Sequence, residues 1–205
     1  PTYLLQSGDR EYVLRKKPPG KVLPSAHQVD REYRVMKALG EHSEVPVPAM
    51  HLLCEDDDVI GTSFYVMDFV PGRVFTQPQL EALPKDQRAD LYNDKIDTLA
   101  KLHSVDYQAA GLGDFGKPKG YVERQVKRWS AQYEASKTDE MPAMDNLMAW
   151  LADNIPQDDS AAIAHGDFRL GNLLVDRGGE GDVDASRRLF NTIIDTATHP
   201  TVRSE

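Results

Sequence analysis

The sequence predicts an α+β fold in which a small lobe of antiparallel strands with one helix precedes a mainly helical lobe. Three observations support this prediction. Short runs of β-branched and aromatic residues, separated by turn signals, recur up to residue 67. Apolar residues at helical spacing dominate after residue 73, and short apolar stretches return near the end of the chain. We therefore expect a first lobe over residues 1–72 and a second lobe over residues 73–205.

Composition and charge narrow the classes of function. The 205 residues, 40% of them hydrophobic, are enough to form a hydrophobic core. A net charge of −9 disfavours binding to the phosphates of nucleic acid. No apolar run approaches the roughly 18 residues of a membrane span. Cys54 is the single cysteine and no leader-like pattern opens the chain, so we expect an intracellular protein without an internal disulfide.

Four strands are expected in the first lobe. The first two cover residues 2–6 and 11–15, and the turn signal Gly8-Asp9 between them predicts a hairpin. Two more strands are predicted around residues 52–54 and 64–67. We expect these antiparallel strands, together with one helix, to form the small first lobe.

One helix and one acidic turn connect these strands. The helix is predicted over residues 25–39, with Ser25 as its N-cap and Gly40 closing it in a left-handed conformation. The acidic residues 55–58 lie between the third and fourth strands. Adjacent carboxylates need a preformed cage to bind a metal ion well, so a solvated hairpin tip is the favoured interpretation of this segment over a metal site.

The second lobe is predicted from three apolar stripes at helical spacing. Their members are Tyr92, Ile96, Leu99 and His103, then Val122, Val126, Trp129 and Tyr133, and then Met144, Leu147, Met148 and Leu151. We interpret these stripes as core-facing surfaces and assign them no cofactor. Apolar stretches at residues 161–164 and 173–175 and a final strand over residues 189–194 complete the lobe.

A glycine-rich segment, residues 111–116, matches the pattern G-x-G-x-x-G. A dinucleotide site requires this turn to follow a strand and to open a helix. Here it follows a predicted helix and precedes Lys117-Pro118. We therefore interpret it as a loop between helices.

Residues 165–172, with the sequence HGDFRLGN, are the segment most indicative of chemistry. Asp167 and Asn172 are five residues apart in a loop that leads into an apolar strand, so both side chains can face one point. The carboxylate can accept a proton from a substrate hydroxyl, and the amide oxygen can bind Mg²⁺ beside it. Phosphoryl transfer uses this pairing. The alternative is an ordinary turn that contains an aspartate.

The spacing of this loop is similar to that of the protein kinase catalytic loop. With Gly166 in its second position and the basic Arg169, it resembles more closely the aminoglycoside phosphotransferase-like kinases. Several other segments resemble one subgroup of that family, whose members occur as the N-terminal kinase-like domain of acyl-CoA dehydrogenase fusion proteins or as stand-alone relatives. These segments are residues 1–3, 12–20, 26–33, 64–67, 99–104 and 124–129.

The resemblance implies a two-lobed, protein-kinase-like fold that transfers the γ-phosphate of ATP to a small-molecule hydroxyl with the help of Mg²⁺. Asp167 would be the general base, and Asn172 and Asp195 would be magnesium ligands. His165 would support the loop backbone. Arg169 would either offset charge near the aspartate or contact the substrate. Asp195 could equally be a simple acid at the end of a strand.

The resemblance also implies a nucleotide site between the lobes. Arg15 would contact the phosphates and Glu32 would orient it, although a surface glutamate on a charged helix is the alternative. Backbone groups of Asp68, Phe69 and Val70, in a hinge near residues 68–72, would hold the adenine. The alternative for this segment is a buried edge strand and turn. The acceptor would be a hydroxyacyl metabolite, and an acyl-CoA dehydrogenase would be a fused or partner protein.

Some positions depart from the family pattern. The glycine-rich phosphate loop expected before the first strand is absent, and the chain stops soon after Asp195, so we expect it to be incomplete at both ends. Gly171 stands where the subgroup has aspartate, and Ala197 follows Asp195 where an acid is usual. These departures leave two alternatives: a nucleotide-binding pseudokinase that acts through contacts, or an inactive fragment of a fusion enzyme. Whether GTP could replace ATP is left open.

Overall fold

The strand-rich part of the molecule is a four-stranded antiparallel sheet, as the predicted fold class requires. The computed structural model describes residues 1–18, 29–81, 83–157, 160–175, 189–191 and 201–202. The strands are β1 (Thr2–Ser7), β2 (Arg10–Lys16), β3 (Met50–Cys54) and β4 (Phe64–Asp68), hydrogen-bonded in the order β1-β2-β4-β3. All four predicted strands are present, and each is longer at one or both ends than its sequence pattern indicates.

The register of the sheet decides which side chains share a face. Arg15 of β2 lies opposite Tyr65 of β4, and Val13 lies opposite Met67. Residues directly opposite one another on antiparallel strands point to the same side, so these four side chains share one face. Tyr65 and Met67 are buried, which makes this the core-facing side of the sheet.

Helix α1 (Val29–His42) covers this face, with Val35, Met36 and Leu39 buried against the sheet. The predicted start of the helix at Ser25 lies outside the described residues. The predicted end at Gly40 is wrong, because the helix continues for two further residues and Gly40 keeps a helical conformation. The ion pair between Lys37 and Glu41 spans one turn across Gly40 and supports this extension.

The acidic segment between β3 and β4 forms a short exposed helix, α2 (Asp57–Ile60). The side chain of Asp56 caps it by accepting a hydrogen bond from the backbone N–H of Asp58 at 2.9 Å. Gly61 closes the turn with a φ of 82°. This is a solvated connection, as the favoured interpretation of the acidic residues states.

Three longer helices follow the sheet, but their buried faces differ from the predicted stripes. The helices are α3 (Lys85–His103), α4 (Tyr121–Ser136) and α5 (Pro142–Asp153). On α3 the prediction is wrong, since Leu91, Thr98 and Leu102 are buried whereas Tyr92 and Ile96 are 38% and 59% exposed. The buried face is therefore rotated by about one residue from the apolar stripe.

The predicted stripes of α4 and α5 also include exposed side chains. Both helices are described in full and contain no completely buried residue. They pack against each other, with Val126 and Met148 only partly buried, while Trp129 and Leu147 are 55% and 45% exposed. The two stripes thus supply one shallow helix–helix contact rather than a deep core.

The main hydrophobic core joins the sheet to the helical part. It contains α1 and β4 side chains together with Leu102, Leu112, Phe115 and Ile163. A second, smaller core lies beneath the loop over residues 165–172. In it, Leu170, Leu173 and Val175 pack with Leu80, Leu83 and Leu91. These two cores fix the positions of α1 and of the loop before Leu173.

Short strands flank the loop over residues 165–172. β5 (Ala161–Ala162) precedes it and pairs with β8 (Thr201–Val202), and β6 (Leu173–Val175) follows it and pairs with β7 (Leu189–Asn191). The last three residues of the predicted strand 189–194 lie outside the described residues. Among the described helices, none combines the length and apolarity needed to cross a membrane.

Candidate functional site

Arg15 and Glu32 form a two-point ion pair between the sheet and α1. Nε of Arg15 lies 2.6 Å from Oε2 of Glu32, and Nη2 lies 3.0 Å from Oε1. The hydroxyl of Tyr65 donates a further hydrogen bond to Oε2 of Glu32 at 3.0 Å. Arg15 and Glu32 were predicted from the sequence, whereas Tyr65 was not, because only the register of β2 and β4 places it beside them.

This cluster is largely shielded from water. The side chains of Arg15 and Glu32 are 12% and 5% exposed, and Tyr65 is 1% exposed. Burial, followed by the negative charge of Glu32, raises the pKa of Tyr65 far above its usual range. Tyr65 therefore stays neutral and remains a donor at any physiological pH. A charge-assisted, two-point contact of this kind fixes the orientation of the guanidinium.

Asp167 and Asn172 lie side by side in the loop before β6. Nδ2 of Asn172 donates to Oδ2 of Asp167 at 2.8 Å and to the Asp167 carbonyl at 3.0 Å. A 3₁₀ turn over Leu170–Asn172, anchored by the buried Leu170, brings the two residues together. The side chain of Asp167 is 48% exposed, so a substrate can reach its carboxylate.

Arg169 is the third member of this group. Its Nε lies 3.1 Å from Oδ2 of Asp167, and its side chain is 71% exposed. An exposed pair of this kind is weak and easily exchanged for another partner. The arginine can therefore either shield the carboxylate of Asp167 or turn towards an anionic ligand.

His165 is buried beneath the loop. It is 3% exposed, and its Nδ1 accepts a hydrogen bond from the backbone N–H of Asp167 at 3.3 Å. Phe168 packs edge-on against the ring at 5.4 Å. Burial lowers the pKa of His165, so the ring is neutral near neutral pH. Gly166 provides the tight turn between histidine and aspartate with a φ of 84°.

Some backbone N–H groups at the end of β4 and just after it already donate hydrogen bonds within the protein. The N–H of Asp68 donates to the Ala49 carbonyl at 2.9 Å, and the N–H of Phe69 donates to the Glu11 carbonyl at 3.3 Å. The Asp68 side chain pairs with Nε2 of His51 at 2.6 Å. Among the described residues, the N–H of Val70 has no such partner. Of the three expected adenine contacts, Val70 is therefore the one with a donor available.

The segment after Val70 connects the sheet to the loop of Asp167. Arg73 pairs with Val175 of β6 through two backbone hydrogen bonds of 2.7 and 2.8 Å. Gly72 lies so close to this strand that a Cβ there would approach Cγ of Leu174 to 2.7 Å. The chain thus runs directly from the expected hinge to the strand that follows Asn172.

Two apolar side chains near these groups, Leu4 and Leu174, were not predicted from the sequence. Leu4 lies opposite Val13 in the β1–β2 register, on the face that carries Arg15. Leu4 is 54% exposed although it points to the core-facing side of the sheet. Leu174 contacts Gly72 and alternates with the buried Leu173 and Val175 along β6. The consecutive apolar residues of β1 and β6 do not alternate with polar ones, so the sequence does not single out Leu4 or Leu174.

The donor set at the loop suits a hard divalent cation. Carboxylate and amide oxygens are ligands of the type that Mg²⁺ prefers. Since Nδ2 of Asn172 faces Asp167, its Oδ1 is directed away from that carboxylate. Asp195, the expected second ligand, lies outside the described residues. In the described part of the chain, no group of three or more histidine, cysteine or acidic side chains could hold a metal ion.

The chain belongs to the phosphotransferase enzyme family, whose model matches residues 1–184. It is 49% identical over 175 residues to acyl-CoA dehydrogenase family member 11 of Gallus gallus. It is 46% identical over 174 residues to acyl-CoA dehydrogenase family member 10 of Mus musculus. Each match covers 85% of this chain but 22% and 16% of those proteins, respectively, so the chain corresponds to a small part of each.

Solved structures agree on the fold. A protein of Ralstonia eutropha, provisionally described as an aminoglycoside phosphotransferase, is 46% identical, with a TM-score of 0.71 over 86% of this chain and 51% of that chain. The GDP complex of aminoglycoside 2'-phosphotransferase-IIIa has a TM-score of 0.59 over 98% of this chain and 68% of that chain. At 13% identity, the second likeness concerns the fold alone. The two-lobed, protein-kinase-like fold class expected from the resemblance is confirmed.

Proposed function

We propose that this protein transfers the γ-phosphate of ATP to a hydroxyl group of a small molecule. The observation that carries the proposal is the contact between Asp167 and Asn172 at 2.8 Å, in a half-exposed loop. The loop holds together one carboxylate, which can activate a hydroxyl, and one amide, which can bind a cation beside it. Membership of a phosphotransferase family supports this assignment.

Asp167 is the proposed general base. Its carboxylate accepts the proton of the acceptor hydroxyl while the oxygen of that hydroxyl forms a bond to the γ-phosphorus. The bond between this phosphorus and the bridging oxygen breaks, and ADP leaves with the electron pair. Asn172, with Asp195 as the proposed second ligand, would hold Mg²⁺, which neutralises charge on the phosphate oxygens.

Arg15 is the proposed contact for the nucleotide phosphates, and Glu32 orients it. The two-point contact at 2.6 and 3.0 Å holds the guanidinium in one orientation before a ligand arrives. We place the adenine beside Val70, whose N–H can donate to it. Leu4 and Val13 would cover one face of the ring and Leu174 the other. This arrangement requires the lobes to meet near the hinge at residues 68–72.

The acceptor is proposed to be a hydroxylated acyl group. The support is the similarity to parts of two proteins named as acyl-CoA dehydrogenase family members. We therefore propose that such a dehydrogenase, fused or associated, is the partner that handles the same acyl group. Since ATP is the donor, we place the activity inside the cell.

The test is a phosphate-transfer assay with Mg·ATP and a panel of hydroxyacyl compounds, with an aminoglycoside as the comparison acceptor. Asp167→Asn should lower the transfer rate by about 10²- to 10⁴-fold. Asp58→Asn, in the exposed helix α2, is the matched control and should leave the rate unchanged. Nucleotide binding without turnover of any acceptor would overturn the proposal in favour of a binding domain.

A further inference from the structure

The glycine-rich loop over residues 111–116 lies against α1. Leu112 and Phe115, 2% and 7% exposed, belong to the same core as Met36 and Leu39 of that helix. Two side chains of this loop are therefore part of the core, although its sequence only indicates a turn. The loop is thus one of the elements of the helical part that pack with the helix carrying Glu32.

Polar contacts strengthen this attachment. Nη2 of Arg31 donates to the Phe115 carbonyl at 2.6 Å, and the guanidinium of Arg31 stacks over the Phe115 ring at 4.1 Å. Arg34 donates to the Gly111 carbonyl at 2.7 Å and pairs with Asp114, whose Oδ2 lies 3.0 Å from Nη1. Both arginines thus tie α1 to backbone carbonyls of one loop.

These contacts and the ion pair with Arg15 involve the same two turns of α1. Arg31 directly precedes Glu32, and Arg34 follows it by two residues. Glu32 points to the sheet, where Arg15 and Tyr65 hold it. This part of the helix is therefore held between the sheet on one side and the loop on the other.

We propose that Arg31, Arg34 and Asp114 are positioning residues that act through Glu32 on Arg15. A helix fixed to the helical part keeps Glu32 in place, so that Arg15 is oriented before the nucleotide binds. Preorganisation of this kind lowers the entropy lost on binding. The inference rests on the proposed function, because it assigns Arg15 to the nucleotide phosphates.

The test compares Asp114→Ala and Arg34→Ala with Lys37→Ala. Lys37 is the matched control, because it is on the same helix, is 44% exposed like Arg34, and pairs with Glu41 rather than with the loop. The dissociation constants of Mg·ATP and of adenosine are measured for each variant by calorimetry. We expect Mg·ATP to bind about three- to tenfold more weakly to the two loop-contact variants. Adenosine, which has no phosphate, should bind equally to all of them.

A double variant shows whether the effect passes through Arg15. In an Arg15→Ala background, Asp114→Ala should cause no further loss of Mg·ATP affinity, because the group that it positions is gone. Equal losses in the two backgrounds would overturn the inference. An equal loss of Mg·ATP and adenosine affinity would also overturn it, because that pattern indicates a general structural defect.

Hydrogen exchange tests this inference independently of the proposed function. Asp114→Ala should accelerate exchange of α1 and β2 amides, whereas Lys37→Ala should leave β2 unchanged. If the unmodified protein binds neither ligand, the proposed function fails, and β2 exchange alone then decides whether the loop holds the Glu32–Arg15 pair. Unchanged β2 exchange in Asp114→Ala would overturn the inference.

Discussion

Tyr65 donates its hydrogen bond to Oε2 of Glu32, the oxygen that also lies 2.6 Å from Nε of Arg15. Oε2 thus accepts hydrogen bonds from residues of two adjacent strands, Arg15 of β2 and Tyr65 of β4. Oε1 accepts from Nη2 of Arg15 at 3.0 Å. A carboxylate this deeply buried is tolerated only because donors satisfy it. The cluster therefore couples the stability of the sheet to the orientation of Arg15.

Removing one partner of Glu32 and removing Glu32 itself should lower the free energy of unfolding by different amounts. Tyr65→Phe keeps the ring but leaves the buried oxygen with one donor fewer, so the free energy of unfolding should fall by about 1.5–3 kcal/mol. Glu32→Ala removes the two-point contact of the largely buried Arg15 guanidinium and should lower the free energy of unfolding by about 3–5 kcal/mol. Urea unfolding measures both.

Tyr92→Phe is the matched control for this series. Tyr92 is 38% exposed and donates to the Pro78 carbonyl at 2.9 Å, so water can replace its partner. Its loss should change the free energy of unfolding by less than about 1 kcal/mol. Equal effects of Tyr65→Phe and Tyr92→Phe would contradict the role given to the buried cluster.

His165 should make stability depend on pH. Burial lowers its pKa in the folded protein below the ordinary 6.5. Below that pH the unfolded chain binds a proton that the folded protein does not, so stability is lost as the pH falls from about 6.5 towards the folded pKa. Above 6.5 its full contribution is present. The measurement is the free energy of unfolding between pH 7.5 and 5.5.

His165→Phe isolates this contribution from that of the acidic residues. The variant has no titrating ring, so its stability should fall less steeply between pH 6.5 and 5.5 than that of the unmodified protein. Identical slopes for the two proteins would show that the ring does not remain neutral beneath the loop.

Much of the fold and of the candidate site follows from sequence because the determinants are local. Runs of β-branched and aromatic residues bounded by turn signals specify strands locally, which is why β1 to β4 are found where expected. Asp167 and Asn172 are close in the chain, so a single turn brings them together. Arg15 and Glu32 are far apart in sequence, and their pairing was expected from the family resemblance rather than from a local pattern.

The predictions that were wrong or missing concern features that tertiary contacts determine. On α3 the apolar Ile96 is 59% exposed while Thr98 is buried, because the position of the core, and not the polarity of one stripe, selects the face. Gly40 could end a helix, but the helix continues through it. The contacts of the loop 111–116 with α1 could not be foreseen, since they join residues about 80 positions apart through backbone carbonyls.

Gly72 should be intolerant of even a methyl group. A Cβ there would lie 2.7 Å from Cγ of Leu174 and 2.9 Å from the Val175 carbonyl oxygen, so the segment must move away from β6. Gly72→Ala should lower the free energy of unfolding by about 1–3 kcal/mol. It should also weaken Mg·ATP binding, because the backbone near Val70 moves with it.

The control for this substitution is Gly113→Ala, where an added Cβ meets nothing within 4 Å. That variant should retain the stability and the Mg·ATP affinity of the unmodified protein. If Gly72→Ala behaves in the same way, the close approach of the hinge segment to β6 has no consequence for nucleotide binding.

Leu4 should contribute to adenine binding but little to stability. It is 54% exposed, yet it shares with Val13 and Arg15 the face of the sheet proposed to cover the nucleotide. Covering about 50 Å² of its apolar surface with the ring would contribute roughly 1.3 kcal/mol, so Leu4→Ser should weaken adenosine binding about tenfold. Leu52→Ser is the control, because Leu52 is 48% exposed on the opposite face of the same sheet. Calorimetry measures the affinity of Leu4→Ser and of Leu52→Ser for adenosine. If the two variants bind adenosine equally well, the adenine does not lie against Leu4.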